Sequence, residues 1–426
     1  MSVATEKITK YSGFQLHTVK TEKFKTNTIV MKWRTPIAKE NSTHRALLPY
    51  VMQNSTKKFP TTAKLRSFIE ELYGATFFID LAKKGEYHIV SFSLEIANEK
   101  FLSDPAPLLK KGLEFLSEVI FQPNVSESGF DQNVIDNEKR ALKQRIQSIY
   151  DDKMRYSNQR VIDVMCENEP YALSVYGEKD EVDSITPQSL YDYYTKALAE
   201  DQIDLYMVGD IKEEEVGAYI EELFPFKERT AQSIDRRKSY ETKKVKEVRE
   251  VQDIKQGKLN MGFRTNIVYG DPEYFALQVL NGIYGGFSHS KLFINVREKE
   301  SLAYYAASRL ESHKGLLLVM SGIDNNNYDK AVKIIKEQME LMKKGEFSDQ
   351  EIMQTKAVIH NQMLETLDTS RGMIELFYHN SVSDNYVEMG DWLQYMSKVS
   401  REEIIAAAKK IELDTIYFLT GSEGNA

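Results

Sequence analysis

The sequence predicts an α+β protein of two tandem homologous domains, each a mostly antiparallel sheet covered by helices. Three observations predict it. The chain has 426 residues, more than one typical core accommodates. One order of elements fills residues 1–226 and starts again at residue 251. Between the two runs, residues 227–250 (KERTAQSIDRRKSYETKKVKEVRE) are polar, charged and poor in core residues, the composition of a linker. A solvated helix within one domain is the alternative for that stretch. The expected organisation is an N-terminal domain at 1–226, a charged linker at 227–250 and a C-terminal domain at 251–426.

The first run opens with NTIVMKWR at 27–34, which alternates as a strand does. Residues 44–53 (HRALLPYVMQ) have helical apolar spacing, and Pro49 should kink that helix or sit in its first turn. Residues 61–73 repeat Leu65, Phe68, Ile69 and Leu72 at steps of three and four, with Thr61 or Thr62 as cap and Gly74 as stop. Two strands follow at 75–81 and 87–97 around Lys83-Lys84-Gly85, then a helix at 107–121 and a long, mainly helical stretch at 126–165. Residues 186–197 form a helix with a Thr cap and Pro in its first turn. IDLYMVG at 203–209 is a buried strand, and 213–223 a further helix.

The second run matches the first in order. KLNMGFRT at 258–265 stands beside TIVMKWRT, LFINVREKESLAYY at 292–305 beside LRSFIEELYGATFF, and FSDQEIMQTKAVIHNQM at 347–363 beside FDQNVIDNEKRALKQRI. TIYFLTG at 415–421 closes this run as IDLYMVG closes the first.

Composition narrows the function classes. A net charge of −8 argues against a general nucleic-acid binder. The single cysteine, Cys166, rules out an intrachain disulfide and a cysteine-based zinc knuckle. No apolar run has the length of a signal peptide or a membrane span, so a cytoplasmic protein without membrane or nucleic-acid partners is expected.

One stretch carries candidate chemistry: GGFSHSKLFINVREKESLAYY, residues 285–305. A glycine pair that can turn tightly leads into an amphipathic helix and then a strand. Arg297 and Tyr304 fall near the helix-to-strand junction. An arginine offers a planar fork of donors to a carboxylate or carbonyl, and a tyrosine can donate to a developing oxyanion. Ordinary surface or packing roles are the plain alternative for both.

The paired halves, the Gly209-Asp210 ending of the first half, and residues 285–305 together resemble the pitrilysin-like (M16) metallopeptidase family over nearly the whole chain. The resemblance implies the pitrilysin/LuxS-like metallohydrolase fold, and it makes Arg297 and Tyr304 the substrate-binding arginine and tyrosine of the second half. In the family the first half carries His-x-x-Glu-His, two imidazoles one helical turn apart with a carboxylate as base. Here the corresponding segment is ALLPY at 46–50. Ala46 and Tyr50 replace the histidines, and Pro49 replaces the base. Sliding the register to His44 puts Leu47 and Leu48 in the other places. No register works, because none of the seven histidines stands four residues from another. Downstream, Glu138 matches a supporting family glutamate, or is an ordinary helix-surface charge. Arg145 stands seven residues on, where the third zinc ligand belongs.

The resemblance therefore implies an inactive peptidase homologue that binds no metal itself. It would act as the non-catalytic, substrate-binding subunit of a heterodimeric zinc peptidase. Its partner would be a catalytic M16 subunit with an intact motif, zinc would be found only there, and the substrate would be a peptide or unfolded polypeptide. A link to elongation factor P modification is also implied. The alternatives are a structural scaffold or peptide-binding protein without a catalytic role, and an enzyme with an unrecognised site.

Overall fold

The computed structural model describes residues 5–103, 107–234, 244–383 and 385–421. The first half runs β1 (Lys7–Tyr11), β2 (Phe14–Lys20), β3 (Thr26–Pro36), α1 (Lys39–Met52), α2 (Thr62–Glu71), β4 (Thr76–Lys84) and β5 (Tyr87–Ala97). It continues with α3 (Leu108–Phe121), a short hairpin β6 (Val125–Ser126) and β7 (Gly129–Phe130), α4 (Gln132–Asp151), α5 (Lys153–Met165), α6 (Pro187–Glu200), β8 (Gln202–Gly209) and α7 (Glu213–Leu223). The second half runs β9 (Lys246–Val251), β10 (Gly257–Arg264), α8 (Tyr274–Asn281), β11 (Ala303–Glu311), β12 (Leu316–Ile323) and α9 (Tyr328–Lys344). Its remaining elements are α10 (Asp349–Leu367), α11 (Ser370–Val382), α12 (Met389–Lys398), α13 (Arg401–Lys409) and β13 (Glu412–Thr420).

The duplication is visible in the sheets. The first has the order β1-β2-β8-β3-β5-β4, and the second, read from its β9 edge, β9-β13-β10-β12-β11. Setting β1 aside, the two orders are the same. Each sheet has one parallel pair, β2 with β8 and β9 with β13, and is otherwise antiparallel. The α+β class and its repeat are thus present in the structure.

The compact units, however, are not contiguous in sequence. One comprises Met1–Gln147, Leu173–Ile234 and Leu367–Ser381; the other comprises Ser148–Ala172, Asp235–Thr366 and Val382–Ala426. The halves have exchanged a helix: α11 belongs with the first sheet and α5 with the second. Side-chain alternation on the central strands explains why both faces need cover. On β3, Ile29, Met31 and Trp33 enter the apolar core of the first unit. The opposite face meets α11: Thr28 bonds Ser370 at 2.7 Å, Lys32 pairs with Glu375, and Arg34 Nη1 donates to the Ser381 carbonyl at 2.5 Å. On β10, Arg264 donates to the Met165 carbonyl of α5 at 2.9 Å. A Cβ added at Gly262 would lie 2.6 Å from Met165 Sδ, so α5 packs against that glycine.

The expected charged linker also differs. Residues 227–234 belong to the first unit, 235–243 lie outside the described residues, and Lys246–Val251 is strand β9. Its KEVREV pattern marks an edge strand, whose outer side carries charge that discourages pairing with other chains. α1 begins at Lys39, so Pro49 lies towards its end and not in its first turn. The 126–165 stretch is two helices, broken where Asp152 caps α5 by accepting from the Met154 and Arg155 amides, both at 3.1 Å. Thr61 and Thr186 cap their helices as expected. Among the described residues no helix is long and apolar enough to cross a membrane.

One buried polar cluster gives the first sheet a pH dependence. His17 on β2 lies between Glu6, at 2.8 Å from Nδ1, and Asp204 of β8, at 3.3 Å from Nε2. Burial would lower the imidazole, but hydrogen bonds and charge from Asp204 and Glu6 outweigh it and raise it to about 9. The folded value lies above the unfolded one of about 6.5. The stabilisation is therefore full below that value and is lost as pH rises through about 9. Denaturant unfolding of the wild type and His17→Gln should differ most near pH 6 and converge near pH 10.

Candidate functional site

In the first unit, α1 and α4 bring together the positions matched to the family's metal site. Ala46 and Pro49 are buried and Tyr50 is half-buried. Positions 46 and 50 share one face of α1, one turn apart. From α4, the Arg145 guanidinium lies over the Tyr50 ring, 3.6 Å from its centre. Arg145 Nη2 is 3.9 Å from Glu138 Oε2 on the same helix. Glu138 also accepts from Asn54 Nδ2 at 3.0 Å, so it is part of this cluster and not a free surface charge. Asn54 in turn donates to the Tyr50 carbonyl at 2.8 Å and accepts from Thr62 Oγ1 at 3.0 Å, tying the end of α1 to the start of α2. Burial raises the Tyr50 hydroxyl, and the Arg145 charge opposes part of that shift.

These residues do not fit a zinc ion. Zinc sites take neutral imidazole, thiolate or carboxylate donors. Methyl, pyrrolidine and guanidinium groups offer no ligating lone pair, burial raises the Tyr50 hydroxyl away from the phenolate a metal would need, and the Glu138 carboxylate is by itself too few donors for a zinc site. Among the described residues no group of three or more His, Cys, Asp or Glu side chains could hold a metal ion. His44 lies off the cluster: its Nε2 is 3.2 Å from Ser189 Oγ, beside a cavity of about 420 Å³ that Glu40 and Lys196 also line. Cys166 is buried, and burial pushes its thiol up to about 12, which suits packing and not nucleophilic chemistry.

In the second unit, the junction at Arg297 and Tyr304 is built from irregular backbone. Residues Phe293–Lys299 form a π-helical turn that buries Val296 and leaves Arg297 exposed. The Arg297 guanidinium lies 4.6 Å from the Phe293 ring centre, and its Nε is 3.8 Å from Glu298. Ser301 leaves the helix at φ +50°, and the Leu302 amide donates to the Val296 carbonyl at 3.0 Å. β11 then starts with an irregular register. Ala303 pairs with Ile323 and Tyr305 with the adjacent Gly322, so Tyr304 is the extra residue of a β-bulge. Bulges and π-turns both re-aim side chains and recur at functional sites. Tyr304 is 69% exposed, the highest value among the large apolar and aromatic side chains on the described surface. Sequence patterning showed a helix followed by a strand; the bulge that turns Tyr304 outwards left no mark in it.

The expected tight turn at the glycine pair is instead a π-helical turn, Gly282–Gly286. Close approach explains the glycine: a Cβ at Gly285 would meet Ser308 Oγ at 2.6 Å and Leu292 Cδ1 at 2.7 Å. Ser308 is itself held by donating to Asn281 Oδ1 at 2.7 Å. Gly285→Ala should therefore cost about 1–3 kcal/mol through overpacking, read as a lower thermal midpoint.

Sequence reading missed the buried ionic networks, since their members are far apart in the chain. Arg45 on α1 donates to Asp201 at 2.7 Å and to Tyr193 at 3.1 Å. Arg264 and Lys314 converge on Glu169 in the other unit.

A family model for the "Peptidase M16 inactive domain" matches residues 184–359. The Bacillus subtilis (strain 168) protein "Probable inactive metalloprotease YmfF" is 53% identical over 424 residues, covering 100% of both chains. A solved structure of a conserved protein from Enterococcus faecalis V583 superposes with a TM-score of 0.91 at 35% identity, covering 99% of this chain and 100% of that one. A solved M16 inactive domain from Pseudomonas fluorescens shares the fold at TM-score 0.79 and 15% identity, covering 97% of this chain and 98% of its own. A duplicated sheet, the matching family model and a full-length relative at 53% identity agree: the chain belongs to the M16 metallopeptidase family, as a homologue of its inactive members.

Proposed function

We propose that the protein is the non-catalytic, substrate-binding subunit of a two-subunit zinc peptidase. The observation that carries this reading is the contrast between its two sites. The metal positions hold Ala46, Pro49, Tyr50 and Arg145, which offer zinc no ligands, whereas Tyr304 stands out from a bulge near the exposed Arg297. The partner is an M16 subunit with an intact His-x-x-Glu-His motif, which supplies the zinc. The substrate is a peptide or an unfolded polypeptide. In this reading Arg297 holds a peptide carbonyl or carboxylate, and Tyr304 donates to the oxyanion that forms when the carbonyl is attacked. The assembly is cytoplasmic and, on the family resemblance, linked to elongation factor P modification.

Co-expression with a zinc-motif relative, followed by pull-down and a peptide-cleavage assay, tests this. The reading requires a stable mixed complex that cleaves, with neither chain as active alone. A second reading, a scaffold without catalytic role, draws support from Arg297 resting on its own Phe293 ring. It requires the same complex, with turnover indifferent to Arg297 and Tyr304. Scoring modified elongation factor P in cells that lack the chain tests the last part.

A further inference from the structure

The cluster at Tyr50 shows more than missing ligands. The Arg145 guanidinium is seated 3.6 Å from the ring centre at position 50, with Glu138 3.9 Å from one of its nitrogens. Two elements meet at it, and a third is tied to its ion-pair partner. α4 carries both Arg145 and Glu138, α1 carries Tyr50, and Asn54 ties Glu138 to the end of α1 and the start of α2. A zinc ion bound to a histidine nitrogen lies about 2.1 Å from it. With the ring at position 50 replaced by an imidazole, Arg145 still projects from α4 beside Glu138, so a metal held from position 50 would fall within a few bond lengths of this positive charge. At such distances, and in a partly buried setting, repulsion between like charges is not screened away.

We infer that the vacated metal site is locked twice, by the loss of its ligands and by a cation seated in their place, so that restored ligands alone will not recover metal binding. The lock is a property of this chain's own helices and stands apart from the two-subunit reading; either can fail without the other.

The test compares zinc binding by the full-length chain in three forms. The first carries Ala46→His, Pro49→Glu and Tyr50→His with Arg145 kept. The second adds Arg145→Ala, which removes the cation without adding a ligand. The third adds Arg145→Glu in its place. Zinc alone is the probe, and binding is read by calorimetry and by the zinc-induced shift in thermal midpoint within each form. The expected order is no stoichiometric binding in the first, weak binding in the second, and tight one-to-one binding in the third. Affinity in the second form should exceed the detection limit set by the first by on the order of 100-fold.

Equal affinity in the first and second forms overturns the lock, since the missing ligands would then account for everything. Stoichiometric zinc in the first form overturns it as well. Ala46 is fully buried, so a histidine there could prevent folding, which circular dichroism reports. Pro49→Glu and Tyr50→His with Arg145 kept, set against the same two changes with Arg145→Ala, then decides the matter with position 46 untouched. Zinc must stabilise the second of this pair and not the first; no difference between them rejects the inference.

Discussion

A mixed complex carrying Arg297→Ala, or Tyr304→Phe, is expected to turn over peptide about 100- to 1,000-fold more slowly than the wild-type complex, equivalent to about 2.7–4 kcal/mol of transition-state stabilisation. The loss should appear in kcat/KM, and for Tyr304→Phe mainly in kcat. A hydroxyl that meets an oxyanion contributes most when the carbonyl oxygen becomes charged, and less to ground-state binding. Phenylalanine keeps the ring and the bulge, so only the donor is lost. Arg297→Lys should fall between wild type and Arg297→Ala, because an ammonium keeps the charge but not the planar fork. Assembly should be unaffected, since both side chains are exposed and neither supports the core of its unit. Wild-type turnover in all three variants would leave the scaffold reading standing. Loss of assembly in Tyr304→Phe would point instead to an interface role.

Glu169→Gln is the most damaging single change expected for stability. Glu169 follows α5 in sequence and is 8% exposed. Its carboxylate accepts from Arg264 Nη2 at 2.5 Å and Nη1 at 3.2 Å, and from Lys314 Nζ at 2.6 Å, while Asp414 accepts from Arg264 Nε at 3.0 Å. Glutamine keeps the shape and removes the charge, leaving two buried cations with less compensation than they need. Breaking a buried pair from one side typically costs about 3–5 kcal/mol, far more than the pair contributes against an apolar replacement. The location gives the prediction its edge. Residue 169 lies in the N-terminal half of the sequence, yet it belongs with the second sheet. Hydrogen exchange should therefore show lost protection in β10 and β13 before β3 and β5. Loss confined to β3 and β5 would mean that the exchange of helices does not govern local stability.

The repeat and the sheet class were legible because they depend on periodicity and order, which a chain carries along its length. Leu65, Phe68, Ile69 and Leu72 announce their helix by spacing, and Thr186 announces its own by chemistry. The sequence spacing excludes the family's histidine pair, since no two of the seven histidines stand four residues apart; which positions would replace that pair comes from the resemblance. The helix exchange was not legible. α5 lies inside the long helical stretch at 126–165, α11 has no counterpart among the elements expected from the sequence, and nothing in Lys32 or Arg264 says which helix will answer them. The edge strand β9 reads as linker in the sequence because a charged strand edge and a charged linker have the same composition. The bulge at Tyr304 was hidden for a similar reason, since one unpaired residue in a strand leaves the local pattern nearly intact.

The sequence by itself determined most of the elements, their duplication and the resemblance to the family, and that resemblance set Ala46, Pro49 and Tyr50 against the expected ligands and base. The tertiary structure alone decided that Arg145 lies on Tyr50, that Tyr304 points outwards, and that each sheet takes its second covering helix from the other half. The physical reason is range. Propensity, capping and amphipathic spacing act over a few residues. Cation–π stacking, buried ion pairs and strand register join residues tens to hundreds of positions apart, and they exist only after the chain has folded.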